Sequence, residues 1–417
     1  MTRVTTWPAG NPRILVADAW PANSGDGAIA LATQRLVRSV LPGASVVHAF
    51  YQCDLVADAY PELDIVPPLA ALLGISRGSP ELASWDGDRQ AFVAGADGVL
   101  SQGGGFLYEH YDPWARLLAY DTVVGLGLPI AFCGQSIGHF SRARERAVLW
   151  RAFRSASAVG VRDPDSALHA LDLGTLPQRL LVAADLAFLL FPEPPPPREG
   201  SGLAVVLTTH GADPLQPRWD DADLAAIVER IADIAAPETV TLLSTSQGHG
   251  HDGRGIEDDA ALARRVRERL GPEVAAHVAM PSTSYLSPAA VAAEIGHRRA
   301  LVTMRLHPAV IGLSVGVPTV LLNPAAKTTA ALDSVGLDDL QRASTDDVEA
   351  VEAAVRDALA PQATRGAALW SRLSRARDLA GSTGRAVQAL AEDIRRARGG
   401  VAGHSAFSDR ASEPGSG

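Results

Sequence analysis

Short apolar runs, each ending in polar or glycine residues and each followed by helical spacing, repeat along most of this chain. Residues 298–327, RRALVTMRLHPAVIGLSVGVPTVLLNPAAK, show the unit most clearly. The run ALVTM predicts a buried strand that stops at Arg305. Leu306, Ala309, Val310, Leu313 and Ser314 then recur at helical spacing, Gly316-Val317-Pro318 closes that helix, and TVLLN forms a second strand. Strand–helix–strand units of this kind build parallel sheets. The same alternation predicts strands over 13–19, 44–48, 98–102, 129–133, 159–161 and 180–182, with residues 49–94 mostly helical and irregular. It restarts with strands over 203–207, 239–243, 274–280, 300–304 and 317–322, and with helices over 221–235, 257–270 and 288–295 between them.

The proline run PEPPPP at 192–197 is the clearest punctuation, because consecutive prolines form a stiff extended connector. It divides the chain into an N-terminal Rossmann-like domain over 11–191, a linker over 192–202 and a C-terminal Rossmann-like domain over 203–345. Helices are expected over 346–398, interrupted near 381–384, and a disordered tail over 399–417. A length of 417 residues fits two cores better than one. The fold class expected is α/β and GT-B-like: two Rossmann-like domains with a cleft between them, the first facing an acceptor and the second a donor.

Composition narrows the function. Hydrophobic residues make up 47% and charged residues 20%, a globular balance. The net charge of −10 opposes binding to nucleic acid or to an anionic membrane surface. Two cysteines, Cys53 and Cys133, give neither a disulfide framework nor a paired-cysteine metal motif. Residues 1–13 hold no apolar core of signal-peptide length, and the apolar stretch 117–133 is broken by Asp121, Gly125, Gly127 and Pro129, so a soluble cytoplasmic protein is expected. His249 and His251 lack a third ligand at a recognisable spacing, so no metal is expected, and no cofactor motif of the dinucleotide or Walker type is present.

The polar residues gather at the exits of the apolar runs. Asn23, Gly25 and Asp26 follow the first strand; Gly103, Gly104 and Gly105 follow a later one; Gln135 and Ser136 lie in a glycine-bordered loop, 134–138. Arg162 and Asp163 end another strand, and Asp185 follows the next. In open parallel sheets, ligands bind at the carboxyl ends of strands. Arg305, His307 and Lys327 at one sheet edge suit an anionic substrate that also needs a proton moved. Each also has a plainer reading: Asp26, Asp163 and Asp185 as helix caps, the glycines as turns, and the basic residues as surface ion pairs.

In this order, Asn23-x-Gly25-Asp26, Gly103-Gly104-Gly105, 134–138 (GQSIG), Val161-Arg162-Asp163, Asp185, Arg305-x-His307 and Lys327 resemble the polysaccharide pyruvyl transferase family over about residues 14–336. The resemblance implies a GT-B-like fold and transfer of a pyruvyl group from phosphoenolpyruvate to hydroxyls of a sugar or glycan precursor as a ketal. His139 departs from the family pattern, standing where a proline commonly follows the loop. Phosphoenolpyruvate carries a carboxylate and a phosphate, for which Arg162, Arg305 and Lys327 are candidate contacts. His307 is the candidate general acid or base, with Arg305 beside it as a catalytic candidate. A nucleotide-sugar glycosyltransferase or epimerase, transfer to a small metabolite, and a non-catalytic glycan- or anion-binding protein remain alternatives at this point.

Overall fold

The protein was analysed as a computed structural model describing residues 4–52, 57–76, 79–83, 85–191, 200–209, 219–247, 258–280, 285–337, 340–360 and 365–408. Residues 192–199 of the linker and the histidines at 249 and 251 lie outside the described residues.

Two parallel sheets organise the chain. The first contains β1 (Arg13–Ala19), β2 (Ser45–Phe50), β3 (Asp64–Val66), β4 (Gly98–Ser101), β5 (Gly104–Leu107), β6 (Ile130–Ile137), β7 (Val159–Val161) and β8 (Leu180–Val182). Its order is β3-β2-β1-β4-β6-β7-β8, with β5 added beside β6. The second contains β9 (Leu203–Val206), β10 (Val240–Leu242), β11 (Val278–Ala279), β12 (Ala300–Thr303), β13 (Thr319–Leu322) and β14 (Arg342–Ala343), ordered β11-β10-β9-β12-β13-β14. In both sheets the chain winds outward one way from the first strand, then reverses between that strand and the fourth. That reversal leaves a crevice at the strands' carboxyl ends, the usual ligand site of a doubly wound sheet.

The two crevices face each other and are tied together. Ser24 donates its backbone N–H to the Thr245 carbonyl (2.8 Å), Gln247 N–H donates to Ala22 (2.8 Å), and Asn23 and Ser246 form an antiparallel bridge. The hydroxyls of Tyr60 and Tyr285, one from each domain, meet above the Pro21 carbonyl, to which Tyr285 donates at 2.6 Å. Beneath these contacts lies a shared apolar core. The helix Leu306–Ser314 of the second domain sets Leu306, Ala309, Val310 and Leu313 among Ala28, Ile29, Ala32 and Phe188 of the first. Burying the leucine, isoleucine, valine and phenylalanine side chains among these is worth roughly 1.5–3 kcal/mol each. The domains are therefore docked through an apolar seam as well as through polar contacts.

The C-terminal helices divide between the two cores. Val348–Leu359 packs through Val351, Val355 and Ala358 on the second sheet. The helix Gly384–Ser408 returns to the first sheet, placing Leu390 and Ile394 beside Ile14 and Leu100. Gly98 in β4 permits this approach, since a Cβ there would lie 2.8 Å from Cδ1 of Ile394.

Four local readings of the sequence need correction. Residues 134–138 are not a loop: β6 continues through Gln135, Ser136 and Ile137, with Gly134 at φ +62° taking up a kink and β5 supplying partners to the extension. Within 49–94, residues 64–66 form strand β3. Residues 274–280 are not one strand; Pro272 opens a helical turn, Pro272–Ala275, leaving Val278–Ala279 as the strand. The tail expected from 399 starts later than that, because the last helix runs on to Ser408. No helix among the described residues is long and apolar enough to cross a membrane.

Candidate active site

The junction of the two crevices holds most of the charged residues singled out above. The helix Leu306–Ser314 begins immediately after β12, with Arg305 as its N-cap residue. Eight of its nine residues are buried, and packing fixes the helix so that His307, the remaining one, is held against the first domain. The His307 side chain lies directly on Gly25: a Cβ at that position would clash with its Nδ1, Cγ and Cβ atoms. Gly25 is held in turn by Asn23, whose Oδ1 accepts from the Gly25 N–H (2.8 Å) and caps the helix Ser24–Val40. Asp26 is therefore relieved of the capping role, and its carboxylate is left for the site.

At the ring's other nitrogen, Nε2 lies 3.4 Å from Oδ2 of Asp185, an ion-pair distance too long for a hydrogen bond of ordinary strength. Asp185 itself is almost completely buried. Its Oδ1 accepts the Ala187 N–H (2.8 Å), capping the short segment Leu186–Leu189, and its Oδ2 accepts from Nη1 of Arg162. Arg162 Nε donates to Ser136 Oγ (2.7 Å), and that hydroxyl donates to Oδ2 of Asp163 (3.0 Å). Asp163 also caps the helix Pro164–Asp172 by accepting from Ser166 N–H (2.7 Å). The buried guanidinium is thus held by two acceptors and cannot swing freely. Its Nη2 end lies 3.0 Å from where a side chain on Gly105 would project.

Electrostatics separate the two nearest carboxyls. Burial works to raise the pKa of Asp185, but Arg162, then His307, and the Ala187 N–H overcome it and hold it well below the usual range. Asp26 goes the other way. Burial raises its pKa and Asp185 adds to the rise, while His307, Arg162 and Lys327 oppose it without prevailing. One carboxyl stays ionised beside the imidazole, and the other is disposed to hold a proton. Acid and base roles can be built on a divergence of this kind.

Lys327 follows β13 on the helix Ala326–Asp333 and crosses to the first domain, where Nζ donates to the Tyr111 hydroxyl (2.8 Å). The ammonium lies 5.0 Å from the Tyr111 ring centroid and 5.5 Å from that of Tyr108. A Cβ at Gly105 would be in ordinary contact with it, 3.7 Å from Nζ; Gly104, at φ +151°, and Gly103, packed on the Cys133 carbonyl, let the chain pass close by.

Arg305 does not join this cluster. Its Nη2 donates to Oδ1 of Asp259 (2.7 Å), whose Oδ2 accepts from the N–H and hydroxyl of Thr245, both at 2.9 Å. This places Arg305 on the carboxyl edge of the second sheet, two residues from His307 but paired with a carboxylate of its own domain. Gln135 also points elsewhere, donating to Ser101 Oγ (3.0 Å) and the Gln102 carbonyl and so bracing β4 against β6. Three residues near the site went unmarked in the sequence. Gln102 donates to the Asp26 carbonyl (3.1 Å), and Tyr108 and Tyr111 flank Lys327. The aromatic run after the glycines at 103–105 was the available signal.

The imidazole's seat on a bare glycine makes a direct prediction. Gly25→Ala should displace the ring and lower turnover on the order of a hundredfold, since an ångström of misplacement carries that effect. Comparing kcat with the thermal midpoint checks this: unchanged kcat in a folded variant refutes the geometry.

Two Rossmann-like domains docked through facing switch points, with ionisable groups from both at the junction, define a GT-B-type enzyme. Solved structures of this type resemble it in fold at low sequence identity. S. aureus MnaA with UDP is 12% identical, covering 89% of this chain and 94% of that one at a TM-score of 0.55. Anabaena HepE with UDP-glucose is 12% identical, covering 92% and 99% at 0.53. The UDP-GlcNAc 2-epimerase of Neisseria meningitidis bound to UDP-GlcNAc is 10% identical, covering 92% and 99% at 0.51. No curated protein matches the sequence. The family is nonetheless settled: the polysaccharide pyruvyl transferase model matches residues 23–325, so this chain belongs to that family and is a transferase.

Proposed function

We propose that the protein transfers the pyruvyl group of phosphoenolpyruvate to two hydroxyls of a sugar or glycan precursor, forming a ketal and releasing phosphate. The observation that carries this reading is the convergence of His307, Arg162, Lys327 and the ionised Asp185 from both domains on the buried Asp26. A small dianionic enol ester needs cationic contacts at both ends and a proton delivered between them. Lys327 and the Nη2 edge of Arg162 supply the contacts at the junction.

The reaction begins with a proton added to the methylene carbon, which leaves an oxocarbenium-like centre at the carbon bearing phosphate. A sugar hydroxyl attacks that centre and gives up its proton. The carbon–oxygen bond to phosphate then breaks, and the second hydroxyl adds with loss of its own proton. Two protons leave the hydroxyls, one replaces that consumed at the methyl group, and one accompanies phosphate. His307 and Asp26 carry these transfers, and the ionised Asp185 offsets positive charge on the imidazole. Asn23, Gly25 and the glycines at 103–105 shape the floor. Ser136, Asp163 and Gln135 keep Arg162 and the strand ends in place.

The test is incubation with phosphoenolpyruvate and a panel of sugar acceptors, following phosphate and the mass of the product. An acceptor gaining the mass of a pyruvyl ketal, with one phosphate released per transfer, is the expected result. UDP and UDP-glucose serve as competing ligands in a thermal-shift comparison. Stabilisation by these nucleotides alone, with no phosphate released from phosphoenolpyruvate, would replace this reading with nucleotide-sugar chemistry.

A further inference from the structure

Asp259 is a buried carboxylate to which the proposed chemistry assigns no part. It opens the helix Asp259–Arg269, yet the capping of that helix falls to Asp258, whose side chain accepts from the Ala261 N–H (2.9 Å). Only 2% of Asp259 is exposed, and burying a carboxylate carries a desolvation cost that paired donors must offset. Its donors lead in two directions.

One route runs through Arg305. Nη2 donates to Asp259 Oδ1 (2.7 Å), Nε donates to the Leu207 carbonyl (3.4 Å), and the Arg305 N–H donates to Thr303 Oγ1 (3.0 Å). Arg305 is the N-cap residue of the helix Leu306–Ser314, so these bonds fix the backbone that carries His307 two residues later. The other route runs through Thr245, whose N–H and hydroxyl both donate to Asp259 Oδ2 at 2.9 Å, and through Ser246, whose carbonyl accepts from the Asp259 N–H (3.1 Å). Residues 245–247 then cross to the first domain. The Thr245 carbonyl accepts from the N–H (2.8 Å) and the hydroxyl (2.9 Å) of Ser24, Asn23 bridges Ser246, and Gln247 donates to Ala22 (2.8 Å). These bonds grip the start of the helix Ser24–Val40, where the next residue, Gly25, is the surface on which His307 rests. Thr245, Ser246 and Ser24 are buried as well, so little water competes for them.

Both routes end at the same imidazole, one at the helix start that carries it and one at the glycine beneath it. We propose that Asp259 is a positioning residue for the transfer, setting His307 against Asp185 and Asp26 without touching substrate. One carboxylate thereby couples the carrier of the ring to its seat across the domain junction. The effect on turnover rests on the pyruvyl-transfer reading; the effect on the imidazole does not.

The experiment compares the full chain with Asp259→Asn, which keeps the size and an oxygen for Thr245 but removes the charge that Arg305 pairs with. Steady-state kinetics with phosphoenolpyruvate give one readout. The other needs no substrate: carbethoxylation of each histidine by diethyl pyrocarbonate, located by peptide mass spectrometry. In Asp259→Asn, kcat should fall about tenfold or more while the donor KM stays within about threefold, as when a proton-transfer group is displaced. His307 should react about tenfold faster, the order by which a lost charged hydrogen bond favours local opening. His48, fully buried in the first domain, should react as slowly as in the parent. Thr245→Val should move both readouts the same way but less far, and Thr245→Ser, which keeps the hydroxyl, should restore them. Unchanged His307 reactivity in Asp259→Asn, an equal rise at His48, or Thr245→Ser behaving as Thr245→Val would each overturn the assignment. If the parent itself releases no phosphate, the donor reading fails and carbethoxylation still decides the positioning. A parent that turns over beside an Asp259→Asn variant of full kcat removes the positioning and leaves the donor reading intact.

Discussion

His307→Ala should lower phosphate release from phosphoenolpyruvate on the order of a hundredfold or more, the usual contribution of a positioned acid or base. The protein should still fold, because the helix carrying His307 is fixed by Leu306, Ala309, Val310 and Leu313 in the shared core. The imidazole contributes little to that core; it touches Gly25 and stands 3.4 Å from Asp185. Asp185 keeps Arg162 after the substitution, so no buried charge is stranded. Single-turnover rates with saturating donor, set beside urea unfolding, measure both halves of the expectation. A variant within a few-fold of the parent rate would shift proton transfer to Asp26, whose raised pKa makes it the alternative donor.

Asp185→Ala carries the largest expected cost in stability. Arg162 has 2% of its side chain exposed and loses its ionic partner, and removing one member of a buried pair typically costs about 3–5 kcal/mol. The cap on Leu186–Leu189 goes with it, adding on the order of 1 kcal/mol. The pH dependence follows from the direction of the shift. Asp185 has its pKa depressed in the folded protein, so its stabilisation is fully present above the ordinary carboxyl value of about 3.9 and declines as pH falls below it. Parent and variant should therefore differ most at neutral pH and converge toward acid. Urea midpoints from pH 7 to pH 3 test this, and a pH-independent difference would mean that the ion pair is not its source. An Arg162→Ala/Asp185→Ala double variant should lose less than the sum of the single losses, since each single change strands the other group.

The sequence made some of this legible for specific reasons. Strand and helix periods around Arg298 were strong enough to place β12, the helix Leu306–Ser314 and β13 almost to the residue. The continuation of β6 through Gln135 and Ser136 could not be read this way. Glycine and polar residues there carry a loop's composition, and the strand exists because β5 folds beside it. Asp163 illustrates a choice that turned out not to be one: it caps a helix with Oδ1 while accepting from Ser136 with Oδ2. Asp185 likewise caps with one oxygen and holds Arg162 with the other.

By itself, the chain's alternation of apolar runs and polar exits determined two doubly wound parallel sheets and put its charged residues at their carboxyl edges. Those features depend on neighbours a few residues apart, which periodicity records. Only the tertiary structure decided which of those edges meet. It brought His307 against Gly25 and Asp185, turned Arg305 aside to Asp259, and carried Lys327 across to Tyr111. Arg305 and His307 are two residues apart in sequence, yet the start of a helix directs them to different partners. The docking of one apolar helix face into the other domain then sets the distances on which any chemistry depends.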